Sequence, residues 1–258
     1  MPRFDPRAQR CIGVIKLGNA LFRHRNSVGP VVFLVALIFS RPHLPYGSTD
    51  LRIAFEIAGL IVALAGESLR ILAIGYEYIV RGGRSRRVYA DSLVRGGMFA
   101  LCRNPLYAGN ILIAIGLSLV VHAHAFYLIV ISAIVLAYHS IVLAEEAYLR
   151  GKFGAAYEDY CRRVNRWWPR LASLRRTQPA LRFNWQRVLV KEYGTILLVA
   201  ATLVGLHFWG EYSIAGAGAL PSAAALGCGA IAWSAVYLAV RTLKQRGYIS
   251  DRPRGLIT

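Results

Sequence analysis

Apolar residues gather in six runs along the chain, at 28–40, 51–79, 106–121, 125–144, 194–209 and 221–240. At about 1.5 Å per residue, roughly twenty helical residues cross a hydrocarbon core. The second, fourth and sixth runs reach that length. The first, third and fifth are short enough to be re-entrant, so six spans are expected, with four or five as alternatives. The third and fourth runs must form a tight hairpin, because only His122-Ala123-His124 and its neighbours join them. The pattern predicts an all-α, polytopic transmembrane helical bundle.

The basic residues orient it. Segments 1–27, 81–105, 145–193 and 241–258 hold 28 of the 31 Lys and Arg, while 122–124 and 210–220 hold none. Such alternation follows the positive-inside rule and puts both termini in the cytoplasm, which requires an even number of spans. The chain is thus expected to be a multi-pass integral membrane protein, of a bacterial inner membrane or an equivalent one. Three segments follow: a basic cytoplasmic or interfacial stretch 1–27, a membrane core 28–193, and a further hairpin with a basic tail, 194–258.

Composition agrees. Hydrophobic residues make up 56% of the 258, mean hydropathy is +0.43, and the formal charge of +18 lies between the apolar runs. A soluble nucleic-acid binder would not separate charge from hydrophobicity in this way, so membrane lipids rather than nucleic acid are the expected partners. No cleavable secretory signal precedes residue 28. Cys11, Cys102, Cys161 and Cys228 are scattered, and neither they nor the six histidines form a metal-binding pattern. The stretch 145–171, within the basic 145–193 segment, reads as an amphipathic helix and an interfacial loop suited to an anionic leaflet.

Three groups of residues have the chemistry for a site. In Leu93–Gly109, the pair Gly96-Gly97 permits a close turn, and Pro105 suits the first turn of a helix. Asn104 can cap that helix start, and Arg103 with the free N–H groups there can bind an anion. The same residues would serve equally as a cap with an interfacial arginine. Glu145-Glu146 ends the fourth run at the membrane face that carries Arg103. These acids can receive an amine or ribose hydroxyls, or simply pair with arginines. Within the second run, Glu67 and Arg70 lie three residues apart, on one helix face. Ionisable groups at that depth face a cavity or a partner. No nucleophile–base arrangement is recognisable.

Leu93-Val94, Gly97-Met98-Phe99, Arg103-Asn104-Pro105-Leu106-Tyr107-Ala108-Gly109 and, after the hairpin, Glu145-Glu146, Phe153-Gly154, Tyr157, Tyr160, Val164 and Pro169 resemble the integral-membrane methyltransferases of the isoprenylcysteine carboxyl methyltransferase and phospholipid methyltransferase family. Leu69-Arg70 is similar too, and the likeness covers roughly 59–170. It implies a cytoplasmic-face pocket for S-adenosylmethionine, with a lipophilic acceptor, such as a phospholipid amine or a prenylated thiol-acid, entering from the bilayer. By that resemblance Arg103 would hold the cofactor carboxylate, and Glu145 or Glu146 its amine or ribose. Gly97, Met98 and Phe99, with Asn104, Tyr107 and Gly109, would complete the cofactor pocket, while Arg70 and Glu67 would orient the acceptor. Asn104 stands where the family usually has histidine and Phe99 where it commonly has tyrosine, and asparagine cannot titrate. Sterol reductases, which take NADPH, look similar over the same pattern. A non-catalytic lipid-binding or transporter subunit is the reading from another class.

Overall fold

The apolar runs fold as helices whose ends are set by local backbone chemistry. The computed structural model describes residues 6–77, 88–169 and 182–249. Among these lie seven helices: α1 (Pro6–Phe39), α2 (Thr49–Tyr76), α3 (Pro105–Val121), α4 (His124–Phe153), α5 (Ala155–Arg163), α6 (Trp185–Ala215) and α7 (Ala223–Gln245). Ser48 caps α2 by accepting from Leu51 N at 3.3 Å, and Asn184 caps α6 by accepting from Arg187 N at 2.8 Å. Gly154, at φ +49°, ends α4 and turns the chain into α5. The predicted hairpin turns on His122, in the left-handed region at φ 46°.

Four helices are long and apolar enough to span a membrane: α2, α4, α6 and α7. Helix α1 bends by 86° between 13–25 and 27–39, and its two halves together would make a fifth. Pro30 explains a break there, because it lacks a donor and its ring crowds the carbonyl four residues back. Helix α3 has 17 residues, about 26 Å of rise, a little less than the hydrocarbon core. The six expected runs therefore resolve into four full-length helices, a bent one and a short one. Helix α6 runs unbroken through the expected segment boundary at 193–194.

Helices α2 and α3 form the tightest pair. Gly59 and Gly66 on one face Gly109 and Gly116 on the other: a Cβ on Gly116 would sit 2.5 Å from the Gly59 carbonyl oxygen, and one on Gly66 2.6 Å from that of Gly109. Small residues let membrane helices approach to backbone contact. Helix α6 docks on the end of α2, where Phe183 covers Gly75 and Asn184 N donates to the Gly75 carbonyl at 2.9 Å. At the far end of the bundle, Ile113, Leu117, Val121, Phe126, Val130 and Leu206 form the apolar core. Outward-facing side chains are apolar as well. Ile38 is 78% exposed and Leu128 72%, and no residue of α7 is buried. Water would not tolerate that surface, whereas acyl chains solvate it.

Candidate functional site

A cavity of about 670 Å³ opens where α2 and α4 end and α3 begins. Its walls include Phe22 and Arg25 of α1, Arg70 of α2, Tyr107 and Asn110 of α3, and Tyr138, Glu145 and Glu146 of α4. Phe99, Arg103, Asn104, Tyr157, Tyr160 and the 88–94 segment complete the end near α5, and Thr195 and Leu198 of α6 complete the side. The volume falls in the range of small-molecule sites.

Two buried charge clusters shape it. In the first, Glu146, 2% exposed, receives a two-pronged contact from Arg166 (Nε to Oε1 and Nη2 to Oε2, both 2.8 Å). Arg103 Nη1 lies 3.1 Å from the same carboxylate and Arg150 Nη2 3.4 Å. Three arginines on one acid satisfy a buried charge that would otherwise be very costly. Arg103 Nη1 also lies 2.7 Å from Cys161 Sγ, while Arg103 Nε is buried without a hydrogen-bond partner among the described residues.

The strap after α5 locks this cluster over the start of α3. Arg103 N donates to the Asn165 carbonyl at 2.9 Å, Cys102 Sγ to that of Trp167 at 3.1 Å, and the Tyr160 hydroxyl to that of Phe99 at 2.7 Å. Asn104 departs from its expected capping role. Its amide donates to the Arg166 carbonyl at 3.1 Å, and Pro105 opens α3 with no side-chain cap. The donation uses Nδ2 and orients the amide so that Oδ1, the atom a cap would use, bonds no N–H of α3, and proline leaves one fewer free N–H there to cap. Burial raises the pKa of Cys102 and of Tyr157 and Tyr160 above their usual values, so all three stay protonated.

The second cluster lies deeper. Arg70 Nη2 is 2.9 Å from both oxygens of Glu192 and 3.4 Å from Thr195 Oγ1, and Arg70 Nη1 donates to Asn110. Asn110 Nδ2 in turn donates to the Tyr138 hydroxyl at 2.8 Å. The expected Glu67–Arg70 pair is present at 3.9 Å, but Glu192, fully buried, is the nearer partner. Glu67 is buried and is not among the cavity walls. Glu145 faces the cavity beside Tyr107, whose hydroxyl donates to it at 2.7 Å.

Of the expected cofactor-pocket residues, Phe99, Arg103, Asn104, Tyr107, Glu145 and Glu146 are thus brought together, with Arg70 beneath them. Gly97, Met98 and Gly109 are not among the walls. Gly97, at φ +51°, packs against Tyr76, and the Met98 carbonyl closes the turn by accepting from Leu101 and Cys102. Gly109 faces α2, where a Cβ would meet Arg70 Cγ at 2.6 Å. Sequence reasoning missed Glu192, Asn110, Tyr138, Arg166 and Arg25. Asn110 and Tyr138 were visible as polar interruptions of apolar runs, and Glu192 as an acid among Arg187 and Lys191. Nothing distinguished Arg25 or Arg166 from the other arginines.

Cations and carboxylates thus share one cavity that reaches from the basic end into the apolar phase, which suits a dipolar ligand. Comparison with known proteins points to a chemistry for it. A profile of the phospholipid methyltransferase family matches residues 59–156. The cobalt-zinc-cadmium resistance protein CzcN of Cupriavidus metallidurans is 30% identical over 165 residues, covering 62% of this chain and 70% of that one. The nickel-cobalt-cadmium resistance protein NccN of Alcaligenes xylosoxydans xylosoxydans is 28% identical over 160 residues, covering 62% and 71%. No solved structure matches the chain.

Proposed function

Because the chain belongs to the phospholipid methyltransferase family, we propose that it transfers a methyl group from S-adenosylmethionine to an acceptor dissolved in the membrane. The observation that carries this reading is the meeting of Arg103, Tyr107 and Glu145, all from the family-matched segment, around one cavity with a buried, unpartnered Arg103 Nε. The cofactor would supply an electrophilic methyl group on a sulfonium. Its carboxylate fits Arg103, and its amine or ribose hydroxyls fit Glu145, which already holds Tyr107. Glu146 has its oxygens taken by three arginines, so in this reading it positions Arg103 rather than touching the ligand.

In-line methyl transfer needs placement more than covalent help, and the site supplies rigid placement. The neutral Tyr157 and Tyr160 close the end beneath the strap against water. Asn104 serves here as a fixed donor and moves no proton. The relatives' names concern metal resistance. An enzyme that alters a membrane component fits both those names and the family. Incubating purified protein with labelled S-adenosylmethionine and native lipid extract tests it. A labelled lipid product is expected. Calorimetric binding of NADPH in place of S-adenosylmethionine would overturn it in favour of a reductase.

A further inference from the structure

The end of the bundle opposite the cavity, where α3 stops and α2 and α4 start, gathers histidines that the methyltransferase reading leaves unused. His43 comes from the connection between α1 and α2, His122 ends α3, and His124 begins α4. Their rings form one group. His43 lies 5.1 Å from His122 and, stacked at 15°, 5.2 Å from His124, with 6.5 Å between the last two. Phe55 of α2 packs on His122 at 4.6 Å, and the Tyr127 hydroxyl of α4 lies 3.0 Å from His122 Nδ1. His122 is buried, while His43 and His124 are exposed, so protons reach the outer rings directly. Beside His122, Val121, Ala123 and Phe126 belong to the apolar core, and Phe126 meets Phe33 of α1 edge-on at 5.1 Å. The imidazoles thus close the core where α1, α3 and α4 meet.

His122 is held at a backbone cost. Its φ of 46° is left-handed, where glycine or asparagine is the usual helix-ending residue. A neutral imidazole offsets that cost, because it can accept the Tyr127 hydroxyl while it packs on Phe55. A protonated one has no acceptor nitrogen and sets like charges side by side. Burial, then the charges of His43 and His124, lower its pKa below the usual 6.5. Among the described residues no carboxylate acts on it: its neighbours from the loop, α2 and α4 are His43, Phe55, His124 and Tyr127. Arg41, whose carbonyl lies 3.4 Å from His43 Nδ1, adds a further positive charge to the loop. A lowered folded pKa means that folding excludes protons. The stability is therefore complete above the ordinary histidine pKa and is lost as pH falls through the lowered one.

We propose that His43, His122 and His124 form an acid-sensitive latch: neutral, they hold the α1–α2 connection on the α3–α4 turn; protonated, they release it and open that end of the bundle. Neither the latch nor its test depends on a cofactor. Full-length protein in detergent is followed by thermal unfolding and by hydrogen exchange at pH 8 and pH 5, with exchange times scaled for the intrinsic effect of pH. Acidification should lower the wild-type unfolding temperature by at least about 2 °C more than that of His122→Asn or His43→Phe, a resolvable shift for a chain of this size. Asparagine tolerates the left-handed backbone and does not titrate, and phenylalanine keeps the stacking ring without the charge. Titrations elsewhere are common to all three proteins and cancel. Peptides covering 40–48 and 122–127 should exchange faster at pH 5 in the wild type, while 103–110, at the cavity end, should not. In both variants those outer peptides should stay protected. If one variant does not fold, the other makes the same comparison. Acid losses of stability that are equal in wild type and variants overturn the latch, and so does exchange that rises equally at both ends of the bundle.

Discussion

Arg103 sits between two demands, a buried carboxylate and the cavity. If it receives the cofactor's carboxylate, Arg103→Ala should weaken S-adenosylmethionine binding by about 2–5 kcal/mol, the range for losing a buried charge partner. Arg103→Lys should recover only part, having no planar fork. Unchanged calorimetric affinity in Arg103→Ala would remove it from the site; Glu146 keeps Arg166 and Arg150, so the variant should still fold. Arg70 and Glu192 are different, since each is the other's chief counter-ion. Glu192→Gln should destabilise by about 3–5 kcal/mol by stranding a buried arginine, and adding Arg70→Gln should restore most of that. Thermal unfolding in detergent measures both, and a double variant less stable than the single would show that the pair is not a closed unit. Cys102 gives a chemical check on the strap. Burial raises its pKa, so at pH 8 it stays a thiol and should resist N-ethylmaleimide until the protein is unfolded. Rapid labelling of Cys102 in folded protein, read by mass spectrometry, would mean that 161–167 does not cover it.

Between elements, the α2–α3 contact has the least freedom. Gly116→Ala would put a methyl group 2.5 Å from the Gly59 carbonyl oxygen and 2.6 Å from Ala63 N, both backbone atoms that cannot rotate away. Separating the helices should cost about 1–3 kcal/mol and lower the unfolding temperature. Because Gly109 presses on the Arg70 side chain in the same seam, the shift should also loosen the Arg70–Asn110 bond. Gly194→Ala, on a helix face with nothing within 4 Å, is the control and should not lower the unfolding temperature, since alanine favours the helix over glycine. Equal melting of the two variants would mean that the seam is less tight than its backbone distances.

For the molecule as a whole, orientation is the open quantity. The basic segments predict that the cavity end faces the cytoplasm. In a variant without native cysteines, one placed at Glu158 should react with an impermeant maleimide only from the cytoplasmic side. One placed at Gly216, where α6 ends, should react only from the other. Reaction of both from one side would overturn the expected topology and with it the cytoplasmic placement of the cavity.

Helix positions, membrane character and the family were legible because each depends on residues close together in sequence. An apolar run predicts a helix wherever it packs, and the Arg103–Gly109 and Glu145-Glu146 groups keep a fixed spacing across a short hairpin. Their meeting was foreseeable too, since a tight hairpin leaves its two ends no other place to lie. What tertiary structure alone decided was the choice among competing partners. Glu67 is three residues from Arg70, yet Glu192, 122 positions away, takes the guanidinium with both oxygens, because a fully buried acid from a third helix gains more from that contact. Asn104 was expected to cap α3 and was claimed instead by the Arg166 carbonyl, a group whose arrival depends on how the strap after α5 folds back. Arg25 belonged, in sequence, to an ordinary basic stretch. The 86° bend of α1 brought it to the cavity, since charge and periodicity fix the face a residue occupies but not the helix that face will meet.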